Sequence, residues 1–436
     1  MNVLVREIAD RRGAWLLLCI VTLVPRTVRG QEAVTLEDAI KRALVRSPQM
    51  AQQEQAVGNA QTSRRQAWGA FLPNVSVGSA ASLRSQMRFD PTTERVVNGS
   101  ADSYSASMSA SYPVFQGGRR FAELSRSAAD LSAARARRED QRFQVILQTK
   151  NLFFAALRQM DLLEVARRRV EQAQESLDMV RAQARVGAAT VSDSLRARLE
   201  LVNARQAVLQ AETNARAARF SLGRQIGEGR PVEPARPEHL EPSPLGLSDE
   251  EIMALAEQQS PMVTAAEASA RAAGAGVSSA KTAYLPSFTF STGYDWANQR
   301  ASFSNGTTSW SLSLRASYPV FNGFQRESNI ERARFTERLA RLQEDDARLA
   351  AREQADAALQ TLRTAERAIE IAGEAQRVAE EDLRVVRERY RVGVATILDL
   401  VTSQVALDQA RTDVVTARYD YVLARAQLEA ILGREL

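Results

Sequence analysis

Along this chain the spacing of apolar residues changes in a set order. From Gly118 to Arg185 and from Phe324 to Arg391 there is no proline, and Ala, Leu, Glu, Gln and Arg, all good helix formers, dominate. Apolar positions there follow three- and four-residue steps, as in Leu342, Leu349, Leu359, Leu362, Ala365, Ile369 and Ala372. The pattern predicts two helices of about 65 residues, each roughly 100 Å long. No single globular core accommodates that length, so such helices must lie lengthwise against others, as in coiled coils. Each ends at a Val-Gly pair, Val186-Gly187 and Val392-Gly393, where glycine suits a helix C-terminus. Thr190 and Thr396 follow, and a second helix of about 35 residues is predicted to return to Gly227 or Gly433.

Ahead of each long helix the period becomes two. In 103–112 Ser103, Ser105, Ser107, Ser109 and Ser111 take one face, while Tyr104, Ala106, Met108, Ala110 and Tyr112 take the other. In 309–318 Trp310, Leu312, Leu314, Ala316 and Tyr318 alternate with Ser309, Ser311, Ser313, Arg315 and Ser317. The preceding segments alternate as well, with Val75, Val77 and Leu83 in one and Phe288, Phe290, Tyr294 and Trp296 in the other. These are the strands of two hairpins, at about 74–112 and 287–318. Strands of about ten residues with one apolar and one Ser-rich face suit a transmembrane barrel with a wet lumen, with aromatics near the strand ends. A soluble antiparallel sheet is the plainer alternative. Four strands do not close, and an open edge in lipid leaves backbone groups unpaired, so a barrel requires other copies.

The whole arrangement occurs twice. AFLPNVSV at 70–77 returns as AYLPSFTF at 283–290, and Ser47-Pro48 as Ser260-Pro261, both displaced by 213 positions. SYPVFQGGRR at 111–120 returns as SYPVFNGFQR at 317–326, and RVGAATVSD at 185–193 as RVGVATILD at 391–399, both displaced by 206. The displacement changes once, inside the hairpins, which places seven extra residues of the first at its tip, around Phe89 to Ser100. Pro48 and Pro261 break a helix in each half, Pro73 and Pro286 open the hairpins, and Pro113 and Pro319 close them. Five prolines in 228–246 mark an extended linker. The expected organisation is repeat 1 at 31–227, the linker at 228–246 and repeat 2 at 247–436.

Composition adds a compartment. Arg6, Arg11 and Arg12 precede the apolar run Ala14 to Val24, and Val28 and Gly30 are small enough for cleavage before Gln31. Residues 1–30 therefore read as a secretory signal peptide, too short in its apolar part to span a bilayer. An N-terminal core helix is the competing reading. Five of the arginines fall there against two acids, so the mature chain is near charge balance and the basic pI of 9.6 is no sign of nucleic acid. The only cysteine, Cys19, lies in the apolar run behind three leucines, which argues against lipidation. A mature chain without cysteine, whose single histidine is His239 in the linker, offers no Cys- or His-based metal or acid–base site. Isolated glycines make no phosphate loop, and the many Glu and Arg read as solvated helix faces. No enzyme, cofactor or metal is expected.

Taken in order, TLEDAIKRAL with Ser-Pro at 35–48, the Leu-Pro before each hairpin, both SYPVF…G segments and both VG…T…D turns resemble the TolC-like outer-membrane efflux protein family over about 31–433. The resemblance implies a mixed α/β membrane protein that forms a homotrimer, with a shared 12-stranded β-barrel in outer-membrane lipid above an α-helical tunnel reaching about 100 Å into the periplasm. It implies docking to a periplasmic adaptor (a membrane fusion protein) and an inner-membrane transporter. The function implied is passive export of small molecules or polypeptides, as efflux or type I secretion. It places the VG…T…D turns at the periplasmic tip. Val186, Gly187, Thr190, Val392, Gly393 and Thr396 would meet the adaptor, and Asp399, with Asp193 and Tyr390, would form the aperture and its gate. Two positions depart from the family pattern: Ala395 stands where a latch arginine occurs, and Thr402 where a second ring aspartate would be. Capping of the return helix is an alternative for both aspartates. An exported structural or adhesive coiled coil without a pore is the other function class.

Overall fold

A computed structural model describes residues 33–92, 94–100, 102–237 and 241–436. The expected signal peptide at 1–30, with Cys19, lies outside the described residues, as does His239. The first element, α1 (Leu36–Arg46), starts where the Thr35 hydroxyl accepts from the Asp38 amide at 3.3 Å. α2 (Pro48–Gly69) follows at once, its proline in the first helical position, where a missing N–H leaves nothing unpaired. Next come β1 (Asn74–Ser82), β2 (Ser85–Asp90), β3 (Arg95–Ser100) and β4 (Ser103–Gln116). The long helix α3 (Arg119–Arg185) has 67 residues and its return partner α4 (Val191–Gln225) has 35. The series then recurs as α5 (Asp249–Gln259), α6 (Pro261–Lys281), one 3-10 turn at Thr282–Tyr284, β5 (Ser287–Asn298) and β6 (Thr307–Ser317). It closes with α7 (Gln325–Arg391), again 67 residues, and α8 (Ile397–Leu432) of 36.

β1, β4, β5 and β6 form one antiparallel sheet in the order β1-β4-β5-β6, which leaves β1 and β6 as its edges. The register carries the alternation of single strands across the sheet. Val77 faces Met108, Met108 faces Tyr294 and Tyr294 faces Trp310, whereas Ser76 faces Ser109 and Ser291 lies between Ser111 and Ser313. One face is thus mostly apolar, interrupted by Ser79, Thr292 and Thr308, and the other Ser-rich, with a direct hydroxyl–hydroxyl bond of 2.8 Å between Ser76 and Ser109. β2 and β3 make a separate two-stranded ribbon at the end of the first hairpin. It occupies the stretch where the extra seven residues were expected, and Leu83 falls in the break before it rather than within a strand.

One expected boundary is corrected. Pro113 does not close the first hairpin: β4 runs through it to Gln116. The ladder shifts register between Pro113 and Phe115, and such a bulge is where a strand tolerates a residue without an N–H. Pro319 does lie beyond β6.

Apolar burial is divided into clusters strung along the helices. One, around Phe153, Leu157, Leu222, Ile226 and Tyr419, also takes in Val34 and Val232. It anchors the linker, which runs extended beside the N-terminal segment through Val34 N–H to Glu233 O at 2.9 Å and Ala235 N–H to Val34 O at 2.8 Å. A second cluster joins α5, α7 and α8 around Ile252, Leu359, Leu362 and Leu428. A third lies at the far end of the helices. Among the described residues no helix is long and apolar enough to cross a membrane. The apolar face of the sheet is bare in one chain, with Val77 78% and Trp310 76% exposed. A face of that kind marks contact with lipid or another protein.

Candidate functional site

The far end of the bundle is built twice from the same local chemistry. Gly187 and Gly393 sit at φ +78° and +80°, a left-handed conformation that costs a residue with a Cβ about 1 kcal/mol or more. Each lets the chain turn back on its own helix: Ala188 N–H reaches Gln183 O at 2.9 Å, and Val394 N–H reaches Arg389 O at 2.8 Å. Three residues after each glycine a threonine opens the return helix through a capping box. The Thr190 hydroxyl accepts from the Asp193 amide at 3.2 Å, and Asp193 Oδ2 accepts from Thr190 N–H at 2.9 Å and from its hydroxyl at 2.7 Å. Thr396 and Asp399 repeat this at 3.2, 2.8 and 2.8 Å.

These bonds explain the charge state of the two aspartates. The Thr190 amide, then its hydroxyl, holds the Asp193 carboxyl below its ordinary value, and Thr396 does the same for Asp399. Both capping and charge are therefore present, and Asp399 is exposed on the return-helix surface with Asp193 half-buried. Tyr390 lies inward. Its ring is buried in the third cluster with Leu177, Val180, Leu201, Ile397 and Leu400, which fastens the α3–α4 hairpin to the α7–α8 hairpin. Its hydroxyl has no hydrogen-bond partner among the described residues, so it makes no bond to Asp193 or Asp399 within one chain. Burial first, and then the Asp193 charge, raises that hydroxyl above its ordinary value. Ala395, in place of an arginine, packs against the same cluster, while Thr402 is exposed. Val186 and Val392, at the extreme tips, are 78% and 72% exposed.

Several polar ties within and between the hairpins escaped the sequence reading. Gln183 Nε2 donates to Tyr390 O at 3.4 Å and Arg391 O at 3.3 Å, stitching one tip to the other. Farther along, Gln404 of α8 donates to the Ser176 hydroxyl of α3, and Ser403 donates to Asp382 at 2.6 Å. Arg169 of α3 holds Glu200 of α4 at 2.6 Å and Asp408 of α8 at 3.3 Å. A signal was present: along α8 the seam Leu400, Leu407, Val414 is interrupted by Gln404 and Arg411 at the intervening three- and four-residue steps. A polar residue on such a seam needs a partner across it.

Comparison with known proteins agrees with this architecture. The family described as "Outer membrane efflux protein" matches residues 39–228 and 252–434. The chain is 29% identical to "Protein CyaE" of Bordetella pertussis, over 91% of this chain and 81% of that one. It is 24% identical to "Outer membrane protein TolC" of Vibrio cholerae, over 92% and 91%. The crystal structure of the outer membrane protein VceC from Vibrio cholerae superposes with a TM-score of 0.77 over 92% of this chain and 96% of that one, at 18% identity, which identifies the fold. The chain belongs to the outer membrane efflux protein family, the channels of the Gram-negative outer membrane that extend into the periplasm.

Proposed function

We propose that three copies of the chain complete a 12-stranded barrel and a helical tunnel, a passive duct for small molecules or polypeptides in an efflux or type I secretion system. The observation that carries this is the four-stranded sheet with two unpaired edges, one mostly apolar face and one Ser-rich face. Lipid would cover the first face, water would fill the lumen behind the second, and neighbouring copies would satisfy the edges. Repeat 1 (31–227), the linker (228–246) and repeat 2 (247–436) then supply two quasi-equivalent walls per subunit. Three copies of Asp399 would encircle the periplasmic aperture, with Asp193 and Tyr390 behind them setting its width. The exposed tips, Val186, Gly187 and Thr190 with Val392, Gly393 and Thr396, would receive a periplasmic adaptor that couples the duct to an inner-membrane transporter.

The test combines mass measurement in detergent with planar-bilayer recording. Three chains per particle and stable ion conductance are expected. Trimers that bind lipid but never conduct would favour an exported coiled coil without a pore, and a monodisperse monomer soluble without detergent would sink both readings.

A further inference from the structure

The charged group buried in the seam behind the tips has no counterpart in the aperture described above. Asp408 is 7% exposed, an uncommon position for an aspartate. One oxygen meets Arg169 at 3.3 Å, and the other has no partner among the described residues. Every element packed against it brings charge. Arg169 comes from α3, Glu200 from α4 (bound to Arg169 at 2.6 Å), Arg411 lies one turn on in α8, and Glu380 of α7 reaches Arg411 at 3.9 Å. Along α8, Asp408 lies nine residues from Asp399, about 13 Å, which puts it beyond the reach of the capping boxes. With the Gln404–Ser176 bond beside it, this is a polar cross-tie between the α3–α4 and α7–α8 hairpins.

We propose that the Arg169–Asp408 contact is a proton-sensitive tie that sets how tightly α8 closes against the α3–α4 pair behind the aperture. The inference rests on the channel reading. It does not rest on the aperture carboxylates, which are hydrogen-bonded at the surface and stay ionised. Here the balance is reversed. Burial outweighs the attraction of Arg169 and Arg411 and, with Glu200 adding repulsion, pushes the Asp408 carboxyl up to about 6 from 3.8. A group raised in this way favours the packed arrangement when protonated, and that contribution is lost as pH rises through 6. Acid therefore favours the packed arrangement, because relieving the burial cost outweighs the lost attraction of Arg169, and neutral pH leaves an ionised carboxylate that is better solvated when α8 moves away. If Asp408 recovers its ordinary value in the loosened state, lowering pH from 7.5 to 5 shifts each subunit toward the packed state by about tenfold.

Planar-bilayer recordings of purified trimers across pH 7.5 to 5 test the tie. Wild-type open probability should fall several-fold with a midpoint near 6. Asp408→Asn, which mimics the protonated form and leaves Arg169 its bond to Glu200, should lose the step and stay at the low-pH level. Glu200→Gln removes the repulsion and frees Arg169 for Asp408, so the midpoint should move to lower pH, an effect that loss of packing alone does not produce. Asp399→Asn should keep the step. Channels whose gating ignores pH, or a step that survives in Asp408→Asn, would overturn the tie while leaving the channel reading intact. Trimers that never conduct would sink the channel reading. Hydrogen exchange at 400–411, corrected for intrinsic rate, then still decides: equal protection at both pH values in the wild type counts against the tie.

Discussion

Tyr390 is buried for its ring, not for its hydroxyl. A buried donor without an acceptor costs about 1–3 kcal/mol, so Tyr390→Phe should raise the thermal unfolding midpoint of the detergent-solubilised protein. A drop would mean that the hydroxyl finds an acceptor on a neighbouring subunit. The capping aspartates make a separate claim about pH. Each carboxyl is held below 3.8 in the folded chain, so its contribution is present above 3.8 and is lost only as pH falls through the lowered value. The tips should keep their amide protection from neutral pH down to about 4 and loosen below it. Thr396→Val removes one of the two donors to Asp399 and should move that loosening upward at 394–402 while leaving 188–196 unchanged, as hydrogen exchange would report. The Thr and Asp of both boxes could be read from the sequence, because a capping box is a local pattern of three-residue spacing. Asp408 and Arg169 could not be paired that way. They are 239 positions apart and meet only because two long helices lie side by side in one particular register.

Helix and strand periods located every long element, and the prolines located most joints. Pro113 misled because a proline opposite a bulge looks, in sequence, like a proline that ends a strand. The β2–β3 ribbon was legible only as a surplus of seven residues, since its strands are short and lack a clean alternation. Because the four-stranded ladder starts at the Ser82–Ser103 pair, the ribbon lies outside its register. Deleting residues 90–96 should leave assembly and conductance unchanged, with trimer yield as the readout. A contrasting element is the last turn of α4, where a Cβ on Gly223 would stand 2.1 Å from the Arg230 carbonyl oxygen of the segment that follows. The neighbour is backbone and cannot rotate away, so Gly223→Ala should displace the 228–232 segment and cost about 1–3 kcal/mol, seen as a lower melting temperature.

At the scale of the whole molecule, the sequence conveyed the need for partners through its unclosable strand set, while their number came from family resemblance. In a threefold assembly the Asp399 carboxylates would share one axis and attract cations. Asp399→Asn should therefore bring the cation-to-anion permeability ratio toward unity, measured as a shift in reversal potential under a salt gradient. An unchanged ratio, with trimers intact, would leave that residue as a helix cap alone.

The equal lengths of α3 and α7, 67 residues each, impose a rule on how such a chain can change. Each added residue lengthens a helix by about 1.5 Å and turns it by about 100°. An insertion in α3 alone would carry its tip past that of α7 and rotate Tyr390's neighbours out of the shared cluster. The gap between membrane and tip thus works as a gauge held at one setting by four helices together. It can be reset only by matched insertions in α3, α4, α7 and α8, in steps near the seven residues that return a helix to the same face.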